Sequence, residues 1–210
     1  KRLASLGKLS SGIAHEIRNP LSSIRGLTQF LFQTFDENDD RKQDLKIILN
    51  EVDRLNQLIN EILDYSRPKR LEISKFSVQE TIKELVQLLK LETQGKNILF
   101  QLNLPKKPLL IDADRNQMRQ ALMNILLNSI QAIKERGEIK ISALKKFTRN
   151  ENLVLIKIED DGVGIDSADL SHIFDPFFTT RSEGSGLGLS IAHNIVEMHR
   201  GDIKVDSEKG

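Results

Sequence analysis

From Leu45 onward an apolar residue returns every three or four positions, at Ile48, Val52, Leu55, Ile59 and Ile62. Alternating steps of three and four make a heptad stripe, the mark of a helix with one apolar edge. Upstream, Leu6, Leu9, Ile13, Ile17, Ile24, Leu27 and Leu31 keep a similar rhythm. The polar run from Asp36 to Asp40 parts the two stripes and fits a hairpin loop. Residues 1–66 therefore read as two long helices. Two narrow stripes enclose little core, so pairing two hairpins into a four-helix bundle is the expected way to bury them, and the chain is expected to be a homodimer. The plainer alternative is a single hairpin packed on the second half of the chain.

Arg67-Pro68 ends the second helix, because proline disfavours helical backbone in the residue before it. Residues 67–76 read as a linker. Ser77 and Glu80 then form a capping-box pattern ahead of Ile82, Leu85, Val86 and Leu89, and Gly95 is the expected stop. Ile98, Phe100, Leu102 and Leu104 alternate, as a strand with one buried face does. Asp114 with Gln117 starts another helix, expected to run to about Arg136. Ile139 to Leu144 and Leu153 to Ile158 read as a hairpin, and a last helix falls near 186–199. Strand and helix periods mix only after residue 76. The fold class is therefore α plus α/β, with a helical domain over 1–66 and an α/β domain over 77–210.

Composition narrows the function classes. Without cysteine there is neither a disulfide nor a thiolate-bound metal. A net charge of +1 gives no field for nucleic acid, which is not an expected partner. No apolar run approaches the ~20 residues that span a bilayer. The first residue is Lys1 rather than methionine, so the chain reads as a fragment, with any sensor or membrane anchor upstream.

The run Gly12-Ile13-Ala14-His15-Glu16-Ile17-Arg18-Asn19-Pro20 sets an imidazole, a carboxylate, a guanidinium and a carboxamide on consecutive turns of one predicted helix. Packing does not require this cluster, whereas phosphoryl chemistry at a histidine would use it. Pro20 lacks an N–H and crowds the carbonyl of Glu16, so a bend is expected beside the His15–Glu16 pair and is a candidate gate for access to His15.

Further on, Asn124 and Asn128 share one helix face with Gln131. An amide carbonyl is a hard oxygen ligand suited to Mg2+, although a solvated polar face is the plainer reading. Asp160-Asp161-Gly162-Val163-Gly164 leaves a predicted strand at a tight turn, where an aspartate can accept from an exocyclic amine or simply shape an Asp-Gly hairpin. Gly184, Gly186 and Gly188 open a predicted helix whose first amides favour phosphate, or else form a flexible loop. Their spacing is not the dinucleotide fingerprint, and no G-x-x-x-x-G-K-[ST] loop is present. The segment from Phe174 to Arg181 fits the anchor of a lid with Arg181 toward phosphate. Its phenylalanines would serve equally as a hydrophobic plug.

Taken in order, these five stretches resemble the kinase core of two-component sensor histidine kinases, over nearly the whole chain. The stretches His15–Phe30 and Phe174–Arg181 are also similar to the sporulation kinases of spore-forming bacteria. The resemblance implies a dimerisation and phosphoacceptor domain, followed by the α/β sandwich ATP-binding domain shared with gyrase, heat-shock chaperone and mismatch-repair ATPases. It implies ATP and Mg2+ as cofactors and His15 as phosphoacceptor. Glu16 would accept a ring proton, and Asn19 would orient a water that dephosphorylates the partner. Asn128 would hold Mg2+, with Asn124 near the phosphates. Asp160 would read adenine beside a wall shaped by Gly162 and Gly164, while Gly184, Gly186, Gly188 and Arg181 would meet phosphate. One departure is Gln131, which stands where many members carry a phosphate-contacting lysine. The family usually continues past this point with a final strand, so that strand is expected beyond Gly210. Expected partners are a second copy, a response-regulator receiver domain and small inhibitory proteins on the helical bundle, and the expected location is cytoplasmic. His172, His193 and His199 lack the neighbours of His15 and read as structural. The rivals are a gyrase-type clamp ATPase and a scaffold with a decayed nucleotide site. The His15–Glu16 pair and the lack of an acid at Asn124 argue against the first, and the intact glycines and asparagines against the second.

Overall fold

The computed structural model describes residues 2–36, 39–66, 70–93, 95–147, 152–181 and 184–209, with backbone alone at 2–14, 61–62, 64–66, 92, 147 and 152. They fall into two compact units, Lys1–Arg70 and Leu71–Gly210.

The first unit is a helical hairpin of α1 (Arg2–Thr34) and α2 (Arg41–Ser66). Arg18 donates to Asn60 Oδ1 at 2.5 Å, and Arg25 pairs with Asp53 at 2.8 Å. Numbers rise along one helix as they fall along the other, so the two are antiparallel. The loop between them is closed by Arg41, whose backbone N–H, Nε and Nη2 donate to the Asp39 carboxylate at 3.0, 2.9 and 2.6 Å. Those bonds hold the Asp39 carboxyl down at about 2. Glu37 and Asn38, also expected in this loop, lie outside the described residues. Pro20 stands inside α1, which continues to Thr34.

Among the described side chains of the hairpin, Leu21, Thr28, Val52 and Leu63 are buried. Most of the expected stripe is not: Ile17, Ile24, Leu31, Ile48 and Leu55 are exposed and Leu27 is 68% exposed, while Phe30, outside the stripe, is 65% exposed. Exposed apolar residues at this density mark an association surface. Leu6, Leu9, Ile13 and Ile62, counted in the same stripes, have side chains outside the described set.

The second unit runs β1 (Ile73–Ser77), α3 (Val78–Glu92), β2 (Asn97–Asn103), β3 (Leu110–Asp114), α4 (Arg115–Ala132), β4 (Arg136–Phe147), β5 (Asn152–Asp160) and α5 (Gly188–Met198). β2 pairs parallel with β4, and β4 pairs antiparallel with β5, placing Ile141 opposite Ile158 and Ala143 opposite Ile156. Ile82, Leu85 and Leu89 of α3 and Leu126 of α4 pack with Ile139 and Ile141 of the sheet in one core. Each such side chain contributes about 2 kcal/mol, so this wall sets the stability of the unit. The opposite face is mixed: Lys140–Glu138 and Lys157–Glu159 ion pairs at 3.0 and 2.6 Å share it with exposed Leu99 and with Leu144 paired across strands to Leu155.

Two expectations need correction. The residues read as linker, 67–76, contain most of β1, and β1 pairs antiparallel with β3, a strand that periodicity did not suggest. Both are short, and their burial runs exposed-exposed-exposed-half-buried-buried and exposed-half-buried-exposed-buried-buried, so neither shows a clean period of two. The helix expected to reach about Arg136 ends at Ala132. Its last carbonyls are claimed by tertiary donors. Lys96 Nζ donates to Ile130 O and Ile133 O at 3.1 and 2.6 Å, and Val163 N–H donates to Ala132 O at 3.1 Å. The Lys134-Glu135-Arg136 run would suit a helix, but its backbone is drawn toward the sheet through Asn97 N–H donating to Glu135 O at 2.8 Å.

Ser77 caps α3 by accepting from Glu80 N–H at 3.4 Å. Asp114 caps α4 and is only 5% exposed. One carboxylate oxygen accepts from Asn116 N–H and Gln117 N–H at 3.0 and 3.1 Å. The other accepts from Glu72 N–H and Gln117 Nε2 at 3.0 and 3.1 Å. Burial opposes ionisation of this carboxyl, but the four bonds outweigh it and hold it below the usual carboxylate range. The Asp114 N–H itself donates to His199 Nε2 at 3.0 Å, and the other ring nitrogen lies 2.7 Å from Ile195 O. The proton of His199 is therefore on Nδ1.

α5 ends in a Schellman motif, with Gly201 N–H donating to Val196 O and Arg200 N–H to Glu197 O, both at 2.9 Å. The left-handed position, at φ 59°, is held by Arg200. Glycine there would carry no Cβ penalty, so Arg200→Gly is expected to raise stability by about 1 kcal/mol in urea unfolding. Asp114→Ala is expected to cost about 2 kcal/mol. Because the Asp114 carboxyl is held low, its contribution is full above the unfolded value of about 3.9 and fades as pH falls through the folded value. The gap between wild type and Asp114→Ala should therefore narrow in acid, as followed by urea unfolding at pH 7 and pH 3.

Candidate functional site

In the first unit, His15, Glu16 and Asn19 are all exposed on α1. His15 and Asn19 are four apart and share a face, whereas Glu16 is the next residue along and points about 100° away. No hydrogen bond joins Glu16 to His15 among the described residues, and both side chains are exposed. Arg18 is different. It is half-buried and bound across the hairpin to Asn60, so α1 is fastened to α2 about one turn after His15 and two residues before Pro20.

In the second unit the polar face of α4 gathers the expected residues. Asn124 Nδ2 donates to Gly188 O at 3.0 Å, which ties α4 to the first turn of α5. One turn on, Asn128 presents its amide oxygen to Arg181, with Nη1 3.5 Å away, while Nη2 lies 3.5 Å from the Asn128 backbone oxygen. Arg181 Nη1 also donates to Gln131 Oε1 at 2.7 Å. Arg181, expected to meet phosphate, thus lies on the polar face of α4, against Asn128 and Gln131.

Asp160 ends β5, and its Oδ1 accepts from Gly162 N–H at 3.1 Å. The neighbouring Asp161 accepts from Glu138 N–H at 2.7 Å and so belongs to the sheet. A Cβ on Gly162 would stand 2.5 Å from Ala132 Cβ, so only glycine lets this turn close on the end of α4. Gly164 lies against the Glu208 carbonyl, and Ile165 N–H donates to Ser207 Oγ at 3.0 Å. Asp160 and Asn128 are thus held in one block of structure.

Gly184 packs against Thr179, and Gly186 sits at φ 68° with its carbonyl accepting from Phe177 N–H at 3.0 Å. A Cβ at Gly186 would come within 2.5 Å of the Phe177 carbonyl carbon. Gly188 opens α5, and its nearest neighbour in the direction of a Cβ is Asn124 at 3.9 Å. No side chain caps α5, so its first-turn amides are left for an outside acceptor.

The aromatic segment divides. Phe174 packs on His193 with ring centroids 4.7 Å apart, and Phe178 lies 5.8 Å from His172, which pairs with Asp175 at 2.8 Å. Phe177 is exposed, at φ 69°. His172, His193 and His199 thus serve packing and hydrogen bonding. The roles of Asn124 as a tether and of Gln131 as partner to Arg181 were not readable in advance. Polar residues on one helix face announce that they are polar, not whom they meet.

These donors suit a nucleotide with a divalent cation. Among the described residues no group of three His, Cys, Asp or Glu side chains could hold a metal alone. One hard amide oxygen, at Asn128, fits a cation that draws its other ligands from phosphate and water, as Mg2+ does. The uncapped start of α5 and the Arg181 guanidinium supply the complement for phosphate charge.

Residues 5–70 match the family described as His Kinase A (phospho-acceptor) domain, and residues 113–210 match the Histidine kinase-, DNA gyrase B-, and HSP90-like ATPase family. Signal transduction histidine-protein kinase AtoS of Escherichia coli is 39% identical over all of this chain and 34% of its own length. Sporulation kinase A of Bacillus subtilis is 32% identical over all of this chain and 34% of its own length. The likeness to sporulation kinases is thus present, at lower identity than that to AtoS. Histidine kinase ThkA, solved in complex with response regulator protein TrrA, is 35% identical, with a TM-score of 0.68 over 95% of this chain and 57% of that one. The chain spans about a third of the two curated relatives. With the helical hairpin matched to a phospho-acceptor family and the α/β unit to its ATPase counterpart, this chain belongs to the two-component histidine kinases.

Proposed function

We propose that this chain is a kinase core that takes the γ-phosphoryl group of ATP onto His15 and passes it to an aspartate of a receiver domain. The observation that carries this reading is the meeting of Asn128, Arg181 and the uncapped start of α5 on one face. A neutral ring nitrogen of His15 attacks the γ-phosphorus, the N–P bond forms, and the bond to the oxygen of departing ADP breaks. Glu16 takes the proton from the other ring nitrogen after a side-chain rotation, and so relieves the positive charge that develops on the ring. Asn128 would hold Mg2+, which would supply positive charge to offset that of the phosphates. Gly184, Gly186 and Gly188 present backbone to the phosphates, with Arg181 beside them. Asp160 accepts from the adenine amine between Gly162 and Gly164, and Asn124 fixes α5 at the phosphate end.

The exposed stripe of the hairpin is the surface on which two copies pair. A receiver domain docks on the same helical unit, where His15 is in reach, and the ThkA complex with its response regulator supports that partner class. Small inhibitory proteins would compete for this unit. No helix among the described residues is long and apolar enough to cross a membrane. A cytoplasmic catalytic portion of a membrane-anchored kinase accommodates that.

Incubation with γ-labelled ATP and Mg2+ is expected to give acid-labile, base-stable label on the protein, absent in His15→Gln. In Asn128→Ala the labelling rate should fall at least about a hundredfold, since phosphoryl transfer rests on positioning and charge. Free phosphate alone would point to a clamp ATPase, and neither product to a scaffold. Asn19→Ala is expected to keep self-labelling while slowing dephosphorylation of a phosphorylated receiver domain about tenfold, followed by loss of label from the receiver.

A further inference from the structure

We propose that Gln131 is a positioning residue that holds the Arg181 guanidinium at Asn128, ready for the terminal phosphates of a nucleoside triphosphate. The inference rests on the nucleotide site proposed above. Arg181 Nη1 donates to Gln131 Oε1 at 2.7 Å, against 3.5 Å for each approach to Asn128. The short bond is the anchor, and the two long approaches follow from it. Gln131 is exposed on the last turn of α4, so no packing demand explains an amide there.

The chemistry of the side chain explains it. A lysine at this position would set a like charge against Arg181. Glutamine offers an acceptor, and so recruits from the loop the positive charge it lacks. The recruited group also differs from an ammonium, because its planar fork of donors can reach two phosphate oxygens at once. The loop backbone is already shaped for this. Arg181 N–H donates to Thr179 Oγ1 at 3.1 Å, and Thr179 Oγ1 donates back to Arg181 O at 3.3 Å.

A competition follows. Before nucleotide arrives, the guanidinium stands at Asn128 Oδ1, the oxygen offered to a divalent cation. Phosphate must draw Arg181 aside as the cation enters, and the bond to Gln131 keeps it near enough to make that exchange. Gln131 should therefore matter for triphosphate and not for adenosine monophosphate, whose single phosphate lies at the sugar.

The test is equilibrium binding of a fluorescent ATP analogue in Mg2+, with AMP as competitor, to wild type, Gln131→Leu, Arg181→Met and the double variant. Leucine keeps the volume and removes the acceptor. Analogue affinity is expected to fall about fivefold in Gln131→Leu, with AMP competition unchanged. The double variant should bind no more weakly than Arg181→Met, because the glutamine acts only through the arginine. Unchanged analogue affinity in Gln131→Leu, an equal loss for AMP, or additive losses in the double variant would overturn the proposal. A wild-type chain that binds no nucleotide would overturn the nucleotide-site reading itself, and this proposal with it.

Discussion

The candidate site of the second unit depends on a carboxylate that takes no part in it. Asp114 gathers three elements: its oxygens take the first amides of α4 and the Glu72 N–H ahead of β1, and its own N–H meets His199 at the end of α5. Where a helix begins sets which way each later side chain points, at about 100° per residue. Asn124, Asn128 and Gln131 face Gly188 and Arg181 because α4 starts where Asp114 starts it. A buried charge is tolerable at this point because every bond it accepts comes from a donor that also needs a partner.

The two units solve opposite packing problems. The α/β unit closes its apolar wall on itself, with α3 and α4 laid on one face of the sheet. The hairpin buries few of its described apolar residues, chiefly Leu21, Val52 and Leu63. At about 2 kcal/mol each, these do not offset the entropy of ordering two long helices. Its order is therefore bound up with whatever covers the exposed stripe, and its stability with protein concentration.

The parts legible in the sequence were those with a period or a cap. Steps of three and four in α2, the Ser77 and Asp114 caps, and the alternation of β2 all arise from one element facing one environment. The ribbon of β1 and β3 escaped because its side chains mostly face solvent, so no alternation is written into it. The early end of α4 escaped because Lys96 and Val163, distant in sequence, claim its carbonyls. In the site, helical spacing put Asn124, Asn128 and Gln131 on one face of α4, yet the bonds from Asn124 to Gly188 and from Arg181 to Gln131 join positions more than forty residues apart. Such pairings are properties of the fold, and no local pattern encodes them.

The tether at Asn124 bears on what this site refuses to do. The Gly188 carbonyl can only accept, so the contact requires an N–H from residue 124. A carboxylate there would meet that oxygen with no proton to give, and α5 would lose its tie to α4. The position that fastens the two helices is thereby closed to a group able to strip a proton from water. On the proposed reading, a nucleotide held here is shielded from wasteful hydrolysis by a structural bond, and its phosphoryl group waits for a nucleophile brought from elsewhere in the protein.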